Sequence, residues 1–277
     1  MRELPTLHPT GPLFVIGGPY GNYDATLAAL DEAARRGVHD ILCTGDLVAY
    51  CADAAETVAL LRASGAAIVA GNVEQQLAAE ADDCGCGFEE GSACDALSAR
   101  WWQHALASID TETRAWMGSL PTRIDVQWHH TRFSAIHGGA REISKFLFAS
   151  DKDEIFATEL DLLGTDGVIA GHCGLPFVRE LYDGRIWLNA GAVGMPANDG
   201  TPRVWCAQLT PQGDQIEIET IALDYDPYPA AKRMRAAGLP EGYAAALISG
   251  LWPSLDVLPP AERAATGYPI TPLRRVY

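Results

Sequence analysis

The chain has 277 residues, of which 48% are hydrophobic, and its 36 acidic residues against 20 basic ones give a net charge of −16. The hydrophobic share excludes a disordered chain, and no apolar run approaches the roughly 20 residues that a membrane-spanning helix needs. The acidic excess argues against a nucleic-acid backbone or an anionic membrane surface as a partner.

The first third of the chain alternates predicted strands with predicted helices. Short apolar runs that end in glycine-containing loops predict strands at 13–16, 41–43 and 67–69. Asn22 can cap a helix that Gly37 ends, and the apolar spacing over 54–64 predicts a second helix. This order predicts a parallel βαβ unit, and sheets of this kind bind ligands at the carboxyl ends of their strands.

The middle of the chain changes to predicted antiparallel strands. Residues 82–95 form a glycine- and cysteine-rich insertion, and residues 101–120 are predicted to form one helix. His129 and His130 lie at a predicted hairpin turn. Further strands are predicted at 124–128, 132–136, 167–170, 177–181, 185–188, 204–209 and 216–221.

This mixture predicts an α/β fold in which two mixed sheets are covered by helices. We expect this domain to span residues 1–223. Prolines punctuate residues 224–277, which are therefore expected to form short helical pieces of a C-terminal extension that packs on the domain. The extension could also mediate contact between copies of the chain.

Four predicted strand ends each carry one side chain that can bind a metal, directly beside a glycine. These side chains are Asp46, Asn72, His137 and His172. Any one of them alone is more commonly a helix cap or a hydrogen-bonded polar residue. Together, a carboxylate, an amide oxygen and two imidazoles are a suitable ligand set for Zn, Mn or Fe.

Sequence blocks around these residues resemble the calcineurin-like metallophosphoesterase superfamily, in its bacterial branch of small phosphodiesterases. The blocks are 18–22, 45–50, 71–74, 137–139 and 171–174, followed by an Asn-Ala-Gly-Ala-Val-Gly segment at 189–194. The resemblance covers about residues 13–221. It implies a four-layer α/β/β/α sandwich and metal-dependent hydrolysis of a small phosphoester or phosphodiester.

The departures from the family pattern are concentrated on one of its two metals. Where the family has Asp and His in the first block, this chain has Gly18 and Tyr20, and Gly174 replaces the last histidine. The ligands that the family uses for its other metal correspond to the four strand-end residues above, which are all present. The resemblance therefore implies a mononuclear or altered site that holds one ion.

The family's histidine near the leaving group, a proton donor, is replaced by Val73. Tyr20 and Glu74 are the candidate catalytic residues that could partly compensate, although Tyr20 could instead be an aromatic ring that fills the space of a lost ion. Asn22 and Tyr50 are candidate substrate-binding residues because they lie in matched blocks.

The insertion offers a second candidate metal site. Cys84 and Cys86 are followed closely by Cys94, and three thiolates can bind zinc or an iron–sulfur cluster. Cys51, Cys173 or solvent could supply a fourth ligand. The alternative is a surface loop with reduced thiols.

Three functions remain open on the sequence. The first is an enzyme, a phosphoric ester hydrolase that acts on a small phosphorylated molecule. The second is a non-catalytic descendant that binds a metal and a phosphorylated ligand or a partner. The third is a thiol-based metal or redox sensor. The sequence shows no signal peptide pattern, and seven cysteines without an export signal are typical of reduced thiols in the cytoplasm.

Overall fold

The computed structural model describes residues 4–128 and 130–277, so residues 1–3 and the predicted turn residue His129 lie outside the described residues. The strands are β1 (Thr6–Leu7), β2 (Leu13–Ile16), β3 (Asp40–Cys43), β4 (Ala67–Ile68), β5 (Arg123–Trp128), β6 (Thr131–Ile136), β7 (Gly167–Ala170), β8 (Pro176–Glu180), β9 (Ile186–Ala190), β10 (Val204–Gln212), β11 (Gln215–Leu223) and β12 (Arg274–Val276). The helices are α1 (Tyr23–Arg35), α2 (Ala54–Ser64), α3 (Asn72–Ala78), α4 (Ala93–Ser108), α5 (Thr111–Met117), α6 (Asp153–Leu163), α7 (Tyr228–Ala236), α8 (Glu241–Ser249) and α9 (Pro260–Ala264).

Sheet 1 combines the predicted βαβ unit with the later antiparallel strands. Its strand order is β12-β11-β10-β2-β3-β4. Strands β2, β3 and β4 are parallel, with Ile16 opposite Cys43 and Cys43 opposite Ile68. This register brings the carboxyl ends of β3 and β4 side by side, so the loops that follow them meet.

Sheet 2 has the strand order β1-β5-β6-β7-β9-β8. Strands β6, β7 and β9 run parallel, with Ala135 opposite Ile169 and Ala170 opposite Asn189. The carboxyl ends of β6 and β7 are therefore also adjacent.

The two sheets pack face to face. Leu13, Val15 and Leu42 of sheet 1 share one buried cluster with Phe133 and Ile169 of sheet 2. Complete burial of such a side chain contributes about 1.5–3 kcal/mol. Helices α1, α2, α4, α7 and α8 pack on the other face of sheet 1, and α6 packs on the other face of sheet 2. The predicted four-layer α/β/β/α sandwich is confirmed.

Capping side chains set several helix boundaries. Asn22 Oδ1 accepts a hydrogen bond from the Ala25 N–H at 3.2 Å and begins α1. Asp110 likewise accepts from the Thr113 N–H at 2.8 Å and begins α5. The prediction of one helix over 101–120 was therefore wrong, because this cap follows a break in helical conformation at Ile109.

The C-terminal segment contributes to the same core. Ala231, Met234 and Leu247 of α7 and α8 are buried in the cluster beneath sheet 1. Arg233 pairs with Asp53 at 2.7 Å. Strand β12, which the sequence did not predict, lies antiparallel to β11 at the sheet edge. Within residues 4–128 and 130–277, no helix combines the length and apolar character that crossing a membrane requires.

Candidate functional site

The four predicted metal ligands lie at the carboxyl ends of neighbouring strands. Asp46 follows β3, Asn72 begins α3 just after β4, His137 follows β6, and His172 follows β7. Asp46 and His172 have φ of 55° and 62°, in the left-handed region that non-glycine residues seldom adopt. Backbone strain of this kind is concentrated at functional sites.

Three of these side chains form a compact group. His137 Nε2 lies 3.3 Å from Asp46 Oδ2 and 3.1 Å from His172 Nδ1. One ligand atom from each of the three lies within 4.8 Å of the others. His137 Nδ1 donates to the Thr44 carbonyl oxygen at 2.6 Å, so this ring presents Nε2 to the group.

Charge and burial fix the protonation of the group. Burial raises the pKa of Asp46, but the charge of His137, its hydrogen bond and the charge of His172 outweigh burial, so this pKa lies below its ordinary value. Burial and then repulsion by His137 lower the pKa of His172 to about 3. Burial lowers the pKa of His137, but the charge of Asp46 and the hydrogen bond to it outweigh burial, so this pKa lies above its ordinary value. Metals bind an ionised carboxylate and a neutral imidazole, so His137 must be in its neutral form to bind an ion.

Asn72, the fourth predicted ligand, has a buried oxygen that lacks a partner among the described residues. Its Nδ2 donates to the Cys84 carbonyl oxygen at 2.9 Å and contacts Cys86 Sγ at 3.5 Å. Its Oδ1 is buried and accepts no hydrogen bond from the described residues. An unsatisfied buried acceptor costs about 1–3 kcal/mol, and a cation would remove that cost. The donor set therefore fits a divalent metal ion.

Glu74 is held by backbone N–H groups of two loops. Its Oε2 accepts from the backbone N–H groups of Gly71 and Asp46, and its Oε1 from that of Leu47, each at 2.8 Å. Burial, followed by the charge of Asp46, raises the pKa of Glu74 to about 7. Both carboxylate oxygens thus join the loops after β3 and β4, which is a structural contact rather than the exposed position of a proton donor.

Tyr20 fills the region where the chain lacks the family's other ligands. A Cβ added to Gly18 would collide with the Tyr20 ring and lie 2.7 Å from its Oη. At Gly174, a Cβ would meet Trp252 Cζ2 at 3.5 Å and Tyr20 Oη at 3.8 Å. Burial, then the charge of Asp46, holds the pKa of Tyr20 well above its ordinary value, so its phenol is neutral.

The two candidate substrate-binding residues differ in position. Asn22 is fully buried, and its Nδ2 donates to the Gly194 carbonyl oxygen at 3.1 Å and to Tyr225 Oη at 3.0 Å. With Oδ1 used as the helix cap, Asn22 has no free group for a ligand. Tyr50 lies at the cavity, edge-on to Tyr20 with ring centroids 4.9 Å apart.

A cavity of about 70 Å³ lies beside the metal group. Among the described residues, no lysine or arginine lines it. Residues of the C-terminal segment form part of its wall. Sequence reasoning missed them because no local pattern places these residues near the strand ends. The wall residues from this extension are Tyr243, Trp252, Pro253, Ser254 and Val257.

The cysteine insertion differs from the prediction. Cys84 and Cys86 form a disulfide, which contradicts the expected reduced thiols and leaves neither sulfur free as a thiolate. Cys94 is free and buried. Cys51 and Cys173 are also buried, and their Sγ atoms lie 3.6 and 3.7 Å from backbone carbonyl oxygens. The structure thus does not bring Cys84, Cys86 and Cys94 together as a three-thiolate site.

The family model for calcineurin-like phosphoesterases matches residues 7–195, more than half of the chain. The chain belongs to this family. An uncharacterized protein of Methanocaldococcus jannaschii, MJ0912, is 26% identical over 243 residues, which cover 82% of this chain and 93% of that protein. The resemblance of the sequence blocks to the calcineurin-like superfamily is therefore confirmed.

Solved structures show the same fold. A metallophosphoesterase from Sphaerobacter thermophilus superposes with a TM-score of 0.68 at 24% identity, over 87% of this chain and 99% of that one. The hypothetical protein PH1004 from Pyrococcus horikoshii OT3 gives a TM-score of 0.72 at 16% identity, with the same coverage. The phosphoesterase family is metal-dependent, and Asp46, His137 and His172 form a candidate metal-binding group in this member.

Proposed function

We propose that this chain is a metal-dependent phosphoric ester hydrolase that uses one divalent ion. Asp46, Asn72, His137 and His172 would hold Zn, Mn or Fe, and a small phosphoester or phosphodiester would bind in the adjacent cavity. The observation that carries the proposal is the convergence of ligand atoms from Asp46, His137 and His172, each within 4.8 Å of the others. The buried Asn72 Oδ1, unpartnered within the described part of the chain, supports it. A bound ion of this kind lowers the pKa of its water and polarises a phosphoryl oxygen.

The chain's own residues have defined tasks in this proposal. The Thr44 carbonyl fixes the tautomer of His137, and Glu74 fixes the two loops that carry Asp46 and Asn72. The neutral Tyr20 phenol lines the cavity and can donate a hydrogen bond to a phosphoryl oxygen. Other aromatic side chains, among them Tyr50, Phe146 and Trp252, form apolar parts of the wall.

The proposal also implies a slow enzyme. Val73 is fully buried and apolar where the family has its proton donor, so general acid help to the leaving group is missing. Such help typically accelerates a reaction about 10²–10⁴-fold. We therefore expect better turnover of esters whose leaving group needs no proton, such as a nitrophenolate.

A second function has one observation in its favour. Tyr20 and Trp252 occupy the surroundings of Gly18 and Gly174, so three of the ligands of the family's second cation are missing and little space is left there. The protein could then bind a metal and a phosphorylated ligand without hydrolysing it.

One experiment separates the two functions. Metal binding is measured by calorimetry with Zn²⁺ and Mn²⁺, and hydrolysis is followed with bis(4-nitrophenyl) phosphate. We compare wild type with His172→Ala and with a matched control, His39→Ala, whose histidine is exposed. Loss of binding and turnover in His172→Ala alone supports the hydrolase. Metal binding without turnover in wild type supports the second function, a non-hydrolytic binding protein. Metal binding that is unchanged in His172→Ala overturns both proposed functions.

A further inference from the structure

The cysteine-rich insertion lies directly against the candidate metal group. The Cys84 carbonyl and Cys86 Sγ both contact the Asn72 amide nitrogen, at 2.9 and 3.5 Å. Cys84 and Cys86 are 3% and 6% exposed, so the disulfide is part of the site's interior rather than of a surface loop.

A second set of contacts holds the insertion on the other side of the group. Phe88 stacks on Phe146 with ring centroids 6.3 Å apart, and Phe146 in turn lies 4.2 Å from the His172 ring. Gly87 packs so closely that an added Cβ would lie 3.3 Å from the Ser144 carbonyl oxygen. The position of Cys86 is thus fixed between Asn72 and the segment that contacts His172.

Cys86 also lines the same cavity as Asp46 and His172. A disulfide sulfur is a poor ligand, whereas a thiolate is among the strongest ligands for zinc and other soft divalent ions. Cys84 is not among the residues that line this cavity. We therefore consider Cys86, rather than Cys84, as the source of a sulfur ligand.

We propose that Cys86 is a redox-released ligand of the metal site, an inference that rests on the metal site of the proposed function. In the disulfide form the ion has the four ligands Asp46, Asn72, His137 and His172. A dithiol reduces the Cys84–Cys86 bond by supplying two electrons and two protons, and becomes a cyclic disulfide itself. The Cys86 thiol then loses its proton to solvent as its sulfur binds the ion.

This change alters which ion the site prefers. With one carboxylate, one amide and two imidazoles, the oxidised site accepts Mn²⁺ as well as Zn²⁺. Addition of a thiolate favours Zn²⁺ and Co²⁺ over Mn²⁺. The oxidation state of the insertion would thereby control the metal content of the protein.

The test uses Co²⁺ as a spectroscopic probe of the purified full-length chain. Protein is treated with dithiothreitol, freed of it by gel filtration under nitrogen, and titrated with Co²⁺ beside an untreated sample. We expect a thiolate-to-cobalt charge-transfer band in the near ultraviolet only after reduction. Reduction is also expected to tighten Zn²⁺ binding at least tenfold.

Variants assign the band to one sulfur. Cys86→Ser should bind Co²⁺ without the band after reduction, and Cys84→Ser should show the band without any reductant. Cys206→Ser is the matched control, because Cys206 is buried in β10 beside Ile221 and should leave the band unchanged. X-ray absorption of wild type, which needs no variant, should detect a sulfur neighbour of the metal only after reduction.

The outcomes distinguish this proposal from the one on which it rests. Co²⁺ binding without the band in reduced wild type, or a band that persists in Cys86→Ser, overturns the role of Cys86 and leaves the four-ligand site intact. Failure to bind Co²⁺ in either oxidation state overturns the metal site, and the role of Cys86 with it.

Discussion

The packing of Tyr20 over Gly18 predicts that substitutions at these two positions have strongly non-additive effects on the free energy of unfolding. An alanine at position 18 would place its Cβ 2.7 Å from Tyr20 Oη and closer still to the ring. Overpacking of this kind costs about 1–3 kcal/mol. Tyr20→Ala alone removes a buried ring and should cost about 3–5 kcal/mol, by analogy with other aromatic truncations.

The double variant, with both Gly18→Ala and Tyr20→Ala, should be far more stable than the sum of the two single costs predicts. Once the ring is gone, Gly18→Ala meets no obstacle from position 20, so its cost should fall close to zero. The coupling free energy should then equal most of the cost of the Gly18→Ala single variant, about 1–3 kcal/mol. Urea unfolding followed by circular dichroism measures the free energy of unfolding of all four proteins.

A neighbouring glycine provides the control for this cycle. A Cβ at Gly17 would collide with the backbone carbonyl of Gly191, not with Tyr20. The cost of Gly17→Ala should therefore be the same in wild type and in Tyr20→Ala. Additive costs at Gly18, or equal coupling at Gly17 and Gly18, would refute the assignment of Tyr20 to the space beside position 18.

Further predictions concern Glu74, Glu32 and Trp252. Glu74→Gln should lower the free energy of unfolding by about 1–3 kcal/mol at neutral pH, because the new amide nitrogen would face a backbone N–H donor instead of an acceptor. The control Glu112→Gln, at an exposed position, should leave the free energy of unfolding unchanged. The pKa of Glu32 is lowered to about 2 by its hydrogen bond to Arg35, against burial, and by Arg36. A carboxyl group with a lowered pKa in the folded state stabilises the fold when the pH is above its unfolded pKa of 4.5, and this stabilisation is lost as the pH falls towards the folded pKa. The difference in Tm between wild type and Glu32→Gln should therefore shrink from pH 5 to pH 2. Trp252→Ala should raise the KM for bis(4-nitrophenyl) phosphate several-fold without changing Zn²⁺ affinity, because Trp252 lines the cavity but is not one of the proposed metal ligands. An equal loss of substrate affinity and of Zn²⁺ affinity would contradict its role as a wall residue.

The strand ends were predictable because their signals are local. An apolar run followed by glycine and one polar residue defines both a buried strand and the side chain at its end, as at Gly45 and Asp46 or at Gly171 and His172. Parallel pairing then brings neighbouring ends together without further information. The superfamily resemblance added the layer order of the fold.

Features that depend on distant parts of the chain were not predictable in the same way. Trp252 reaches the cavity through hydrogen bonds to Pro196 and Asn198, more than 50 residues earlier in the chain. The sequence offers Glu74 as a catalytic acid, yet its position in the first turn of α3 directs it to backbone donors from two loops. Whether Cys84 and Cys86 are paired depends on their spatial separation, which composition does not encode.

The lining of the cavity imposes an order on binding. Among the described residues around it there is no guanidinium or ammonium group, and Asp46 contributes a negative charge. A phosphate ester approaching the metal-free protein would meet the negative charge of Asp46 and no cationic side chain among the described lysines and arginines. In the proposed function the cation would therefore bind first, and binding of an anionic ligand would depend on how fully the protein is loaded with metal.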